Sequence, residues 1–418
     1  MSVEATAQAP ESSDLGGRGR PKFLAIDFFC GAGGTTRGLL DAGGYVIAGV
    51  DKETTCRRTY VENNRNHLLD GALPAFLERD IFERTEDYPS GQRSELVEEL
   101  DVLIGNARRS HPGVPLLFAV CAPCQPFTTL SRRTMSPERL AKREKDRNLL
   151  QCAADLIERY RPELVLSENV AGIRDPRYGG IWDGFATELS RIGYATGTRL
   201  ICVSAFGIAQ YRKRSILIGA RADVVASTTI DESDGRIVVP DRDDASPAKS
   251  VAEVIGHLPK LGAGEVHAEV PNHRTRSLSA LNIERMKFAR PGETNRYMAD
   301  TASGDLSLEC HRRVNARLAQ RCFNDVYTRM SADRPSPTIT TKCHSISNGR
   351  FGHYDMDQLR GISLREAAAL QSFPDDYVFH PVERIEPIAR MIGNAVPPKL
   401  AQFFAGYLVR LIAGAARS

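Results

Sequence analysis

The sequence predicts an α/β protein: a doubly wound, mostly parallel sheet interrupted by a smaller inserted domain. Three observations lead there. From Lys22 to about Arg221, short aliphatic runs alternate with helix-like segments. After Ala220 the chain turns polar and acidic ("RADVVASTTIDESDGRIVVPDRDDASPAKS"), and beyond Pro335 the α/β character returns. At 418 residues the chain is also long for one core, since domains usually run to about 100–200 residues. The expected organisation is a disordered tail over 1–21, an α/β block over 22–224, an inserted domain over 225–333 and a return to the first block over 334–418.

The strand candidates "FLAIDFF", "GYVIAGVD", "DVLIG", "LLFAVCAP", "ELVLSENV" and "RSILIGA" are short, continuous and apolar, as strands buried on both faces are. Helix-like spacing runs over 145–160, and "LREAAALQSF" is a further helix. The closing run "KLAQFFAGYLVRLIAGAA" carries Lys399, Gln402 and Arg410, so it reads as a packed core helix and not a membrane span. The N-terminus lacks the apolar stretch of a secretory signal. Nine scattered cysteines point to reduced thiols and a cytoplasmic setting. A net charge of +3 does not announce a nucleic-acid partner, so any phosphate binding must come from local clusters.

"FLAIDFFCGAGGTTRGLL" is strand, glycine turn and helix. Gly31, Gly33 and Gly34 let the backbone turn sharply and approach a ligand at the helix N-terminus. Thr36 stands where the dinucleotide fingerprint has its third glycine. The second strand ends in Asp51, placed to accept hydrogen bonds from ribose hydroxyls, and "LERDI" brings Asp80 and Ile81 to the next strand end. Acids at successive strand ends repel a pyrophosphate and suit a cationic adenosine ligand, a description that S-adenosylmethionine fits.

"AVCAPCQPF" places Cys121 and Cys124 three apart after a buried strand. A thioredoxin-like pair belongs at a helix N-terminus, whereas here a polar loop follows. A zinc site needs four ligands, and no second CxxC or paired histidines appear. Cys124 reads as a single thiol at a strand's carboxyl end, where open α/β sheets bind ligands; a small buried packing residue is its bland reading, and a CxxC redox or metal-binding protein is the minor alternative. "SENV" brings Glu168 to the same edge, and "AQYRKRSILIGA" puts Gln210, Arg212 and Arg214 ahead of another strand. Arg212 and Arg214, two apart, share one face of an extended segment.

These motifs, with "RPSPTITT" at 334–341, "SLREAAALQSFPDDY" at 363–377 and "IGNAVPP" at 392–398, strongly resemble those of bacterial DNA (cytosine-5) methyltransferases, in the family's order. The resemblance runs from about Phe23 to the C-terminus. It implies the Rossmann-like, S-adenosylmethionine-dependent methyltransferase fold, with the insertion as target-recognition domain. It also implies that Cys124 is the nucleophile adding to cytosine C6, and that Glu168 bonds N3 and the exocyclic amine, holding or sharing a proton. Arg214 would reach the carbonyl oxygen and Arg212 support the site, with Gln125 and Asn169 completing the catalytic set. Phe29, Gly31, Gly33, Asp51, Asp80, Ile81, Pro123, Asn394 and Val396 would hold S-adenosylmethionine, with no metal. Asp51 departs from the family's common Glu at the ribose position.

The implied partner is double-stranded DNA, with a cognate restriction endonuclease acting on the same site as a further candidate. The enzyme would be a monomer in the bacterial cytoplasm, at the nucleoid when DNA-bound. The polar segment 126–148 matches the family's mobile loop. Over 273–329, eleven arginines and lysines face six acids, the asymmetry of a phosphate-facing surface. A tRNA cytosine-5 methyltransferase is the alternative; its Cys-Phe-Thr triplet is absent, Cys322-Phe323 being followed by Asn324. A catalytically dead DNA-binding relative is a third reading, opposed by the intact Cys124, Glu168, Arg212 and Arg214.

Overall fold

The computed structural model describes residues 19–123, 137–175, 180–225, 236–318 and 324–413. Of the expected tail, residues 1–18 lie outside the described residues. Among the described residues nine strands form in chain order: β1 (Phe23–Phe28), β2 (Gly44–Asp51), β3 (Ala75–Glu78), β4 (Leu116–Val120), β5 (Leu164–Val170), β6 (Tyr194–Cys202), β7 (Gln210–Tyr211), β8 (Lys213–Arg221) and β9 (Ser336–Pro337). The helices are α1 (Gly34–Asp41), α2 (Arg57–Asn63), α3 (Arg93–Ser110), α4 (Pro137–Tyr160), α5 (Ile181–Arg191), α6 (Val251–Ile255), α7 (Ala280–Phe288), α8 (Glu309–Leu318), α9 (Leu364–Leu370), α10 (Ile385–Asn394) and α11 (Pro398–Ala413).

Seven strands make one sheet in the order β3-β2-β1-β4-β5-β8-β6. The pairs among β1 to β5 are parallel, and β8 runs antiparallel between β5 and β6. The period of two along a strand separates two apolar layers. Leu24, Ile26 and Phe28 of β1 face α3, α4 and α5, packing with Leu100, Ile157 and Trp182. Phe23 and Ala25 face α1 and α11, packing with Leu39, Phe404 and Leu408. The closing run is therefore a core helix. Among the described residues, no helix is long and apolar enough to cross a membrane.

Two elements differ from expectation. "DVLIG" is not a strand: it lies inside α3, whose buried face is Leu96, Leu100, Ile104 and Ala107. A short apolar run does not separate strand from helix by itself, and the wider spacing decides it. The helix expected over 145–160 begins at Pro137, so the second part of the polar 126–148 segment is helical backbone. Its residues 126–136 lie outside the described residues.

Relative to the expected insertion bounds of 225–333, Ile237 and Val239 pack on the sheet with α11. A smaller apolar cluster over Met286, Ala289, Met298, Leu306, Val326 and Tyr327 reaches on to Ile346. This region has little regular structure, and buried arginines satisfy its carbonyls. Arg329 donates to the carbonyls of His353, Asp355, Gln358 and Met286. Arg365 donates to those of Pro271 and Pro374. Arg360 makes two bonds to Glu366, at 2.8 and 2.7 Å, while Glu366 also caps α9 through the amide of its N-cap Ser363. Despite full burial, these partners hold the Glu366 carboxyl below its ordinary range.

The surface reading of the 273–329 cations therefore needs correction. Arg285 and Arg329 are buried, and Arg312 and Arg313 pair with acids of their own neighbourhood. Arg321 lies outside the described residues. Removing one member of the buried Arg360–Glu366 pair leaves the other charge uncompensated. Glu366→Ala is expected to cost about 3–5 kcal/mol in denaturant unfolding. Asp244→Ala, which removes an exposed pair with Arg242, is expected to cost less than about 1 kcal/mol.

Candidate active site

At the carboxyl end of β1 the chain must reverse into α1, and it does so in left-handed backbone. Phe29 has φ 61°, unusual for a side chain-bearing residue, with Gly31 at 50° and Gly33 at 89°. Gly33 has no room for a side chain: a Cβ there would stand 2.3 Å from Asn64 Nδ2 and 2.8 Å from Tyr377 Oη. At Gly31 a Cβ would meet nothing within 4 Å, because the turn opens onto a cavity of about 410 Å³. The Asp51 carboxylate closes the turn, accepting from Gly31 N and Glu53 N at 2.8 Å each. Burial pushes the Asp51 carboxyl up, against those two bonds.

Thr36, in the place of the third fingerprint glycine, has a structural partner. Its hydroxyl lies 2.7 Å from Asp27 Oδ2 and 3.2 Å from Tyr60 Oη. Asp27 is fully buried, and desolvation raises its carboxyl to about 7. Behind the turn, Tyr377 Oη donates to Ala32 O and accepts from Asn64 Nδ2. Tyr377 closes the "SLREAAALQSFPDDY" motif, whereas Tyr60 and Asn64 belong to no motif and are recognised as supports only once the chain is folded.

The cavity brings the expected cofactor residues together. Phe29, Gly31, Asp51, Asp80, Ile81, Pro123, Asn394 and Val396 all line it, with Glu168 at the same wall. Gly33 lies behind the surface, inside the turn. Asp80 accepts from Phe82 N and stands 3.4 Å from Lys52 Nζ. The fit to S-adenosylmethionine is chemical and spatial. The glycine turn leaves open space, Asp51 and Asp80 can accept from ribose and adenine, and the wall mixes acids with apolar side chains. Arg390 and Met391 of α10 also line the cavity, and the motif reading did not include them.

On the substrate side, Ser167 and Asn169 of β5 donate to Val120 O and Ala122 O at 2.5 and 3.2 Å. They fasten the end of β4 to β5, and Glu168 between them faces the cavity. Arg214 pairs with Val170 in the β5–β8 register, and its Nε stands 2.5 Å from Glu168 Oε1, both side chains nearly buried. Arg212 turns elsewhere, donating to Ile339 O and Gly393 O at 2.8 and 3.0 Å. The two arginines thus do separate work: Arg214 meets Glu168, while Arg212 holds the returning C-terminal segment beside the site.

Cys124 and Gln125 lie outside the described residues, and Pro123 is the last described residue before them. Cys121 stands one residue beyond β4 on the cavity wall. Burial first, and then Glu168, push its thiol well above the usual range, the opposite of a reactive redox thiol. Among the described residues, no group of three or more His, Cys, Asp or Glu is placed to hold a metal ion.

Residues 23–410 match the family model described as C-5 cytosine-specific DNA methylase. The chain is 31% identical over 391 residues to the Type II methylase M.HgiDII of Herpetosiphon aurantiacus, covering 93% of this chain and 96% of that protein. It is 27% identical over 392 residues to the Type II methyltransferase M1.HphI of Haemophilus parahaemolyticus, covering 92% and 86%. Among solved structures, a prophage-encoded E. coli protein assigned as a DNA modification methyltransferase shares the fold at TM-score 0.63 and 19% identity, covering 94% of this chain and 99% of its own.

Asp27 makes a prediction with a definite sign. A carboxyl whose folded pKa lies above its unfolded value holds its proton more tightly in the folded state. Its contribution is fully present below the ordinary carboxylate range and is lost as pH rises toward about 7. Asp27→Asn has no such proton to lose. Relative to wild type, it should gain stability between about pH 4 and about pH 7, by about 3–4 kcal/mol in urea unfolding.

Proposed function

This chain belongs to the C-5 cytosine-specific DNA methylase family and is a DNA (cytosine-5) methyltransferase; from that premise we propose the following route. The enzyme methylates C5 of a cytosine flipped out of a specific duplex site, through a covalent bond between Cys124 and C6. The single observation that carries the reading is the Glu168–Arg214 pair at the cavity wall. Glu168 lines the same cavity as Pro123, the residue that leads into Cys124.

A base stacked inside duplex DNA cannot reach such a wall, so it must leave the helix. Cytosine C5 is a weak nucleophile. Addition of the Cys124 thiolate to C6 makes the ring an enamine whose C5 attacks an electrophile. S-adenosylmethionine, when bound, would supply that electrophile as its sulfonium methyl group, the S–CH3 bond breaking to leave the neutral thioether S-adenosylhomocysteine. Glu168 holds a proton at N3 and accepts from the exocyclic amine, so that the charge arriving with the thiolate is neutralised. Arg214 donates to the carbonyl oxygen. A base then takes the C5 proton, and the C6–S bond breaks to return the thiolate. Gln125 flanks the nucleophile, while Asn169 acts through the Ala122 carbonyl and Arg212 through Ile339 and Gly393; the last two are positioning residues.

The similarity to Type II enzymes supports a role in restriction–modification, with an endonuclease cutting the same unmethylated site, or as a solitary methylase. The monomeric state and nucleoid association belong to the same proposal. Cys124→Ser is expected to lower methyl transfer about a thousand-fold or more while duplex binding persists. Near wild-type turnover would refute the nucleophile. Bisulfite sequencing of a host expressing the protein should show cytosine methylation confined to one sequence context. Folded, cofactor-binding protein that leaves the genome unmethylated would count against the reading as a whole.

A further inference from the structure

We propose that Tyr211 and Lys213 form a duplex-contacting face beside the cytosine site, the ring stacking on a base left exposed when the target leaves the helix and the ammonium pairing with a flanking phosphate. The inference rests on reading the chain as a DNA methyltransferase and adds a contact that reading does not include.

The placement follows from topology. β8 runs antiparallel to β5, so its first residues lie at the sheet edge where Glu168 and Val170 end, with Val170 opposite Arg214. Going backward from Arg214, the chain continues past that edge through Arg212 to Tyr211. Side chains alternate along it: Gln210, Arg212 and Arg214 are buried, while Tyr211 and Lys213 are exposed. The two exposed residues therefore stand beside buried Arg214, whose partner Glu168 lines the cavity.

The same alternation makes the exposed face rigid. Gln210 accepts from Ile339 N and donates to Gln371 Oε1. Arg212 is clasped to Ile339 O and Gly393 O, and Thr338 Oγ1 donates to Tyr211 O. A phenol ring that is 55% exposed is thus carried on backbone fixed from both sides. Single exposed apolar groups are common, but few sit on immobilised strand so near a site that must receive an extruded base. Lys213 shows no acidic partner among the described residues, nor does the exposed Lys342, three residues beyond Ile339 on the segment that β7 pairs with. An aromatic ring flanked by unpaired cations is the composition that binds unstacked bases and the phosphates beside them.

The test uses the full chain and a short fluorescent duplex carrying the bisulfite-mapped site, with 2-aminopurine next to the target cytosine. Tyr211→Ala should weaken duplex binding about tenfold or more and reduce the 2-aminopurine signal, with S-adenosylmethionine binding and Tm unchanged. Tyr211→Phe, which keeps the ring, should match wild type. Lys213→Gln should lower the slope of log Kd against log salt concentration by about one. Wild-type duplex binding and base unstacking by Tyr211→Ala would overturn the inference, as would equal impairment of Tyr211→Phe or an unchanged slope for Lys213→Gln. Wild-type protein assayed alongside separates the two failures. If it methylates the duplex while the variants behave identically, this inference alone falls; if it neither binds nor methylates, the functional reading falls with it.

Discussion

The site depends on a close approach between two segments far apart in the chain. Gly34 and Gly38 on α1 have no side chains where the C-terminal return comes against them. A Cβ on Gly34 would lie 2.4 Å from Val396 O, and one on Gly38 would lie 2.2 Å from Pro398 O. Contact this close requires hydrogen in place of carbon, and it sets Asn394 and Val396 beside the first glycine turn. Arg212 closes the same junction from the other side through the carbonyls of Ile339 and Gly393. The cofactor cavity is therefore a seam, with β1 to β5 on one lip and α10 on the other.

The smaller region solves a different problem. With little helix or strand to pair its backbone, many carbonyls would be buried without donors, at a cost of about 1–3 kcal/mol for each unsatisfied group. Arg329, Arg360 and Arg365, all fully buried, supply several donors apiece from rigid guanidinium forks. Arginine suits this role because its charge is weakly hydrated and its donors are fixed in a plane. A region built this way keeps its outline with few regular elements.

Much of this was legible beforehand. The strand ends that line the cavity are readable because fully buried parallel strands are short apolar runs, with polar residues at or just past their ends: Asp51 after "YVIAGV" and Glu168 within "ELVLSENV". The edge strand β6 was not foreseen, since "YATGTRLIC" mixes small, polar and exposed residues and carries no aliphatic run. α10 was hidden because its recognisable "IGN" is only its last turn. The buried arginines were misread for a physical reason: a guanidinium that bonds carbonyls leaves no acid nearby to betray its burial. Thr36 looked like a missing glycine, when it is the partner of Asp27.

The Glu168–Arg214 contact has a consequence for selectivity. Arg214 Nε and Glu168 Oε1 stand 2.5 Å apart when no base is present, so on the proposed route a cytosine gains only the difference between its own bonds and the ion pair it disturbs. A free nucleoside, arriving at low concentration and paying its full loss of motion, competes poorly against a partner that never leaves. A cytosine carried by a bound duplex arrives at high effective concentration, because the DNA has already paid for the encounter. On the proposed route the pocket therefore discriminates against loose cytidine and its nucleotides and favours bases delivered by a polymer.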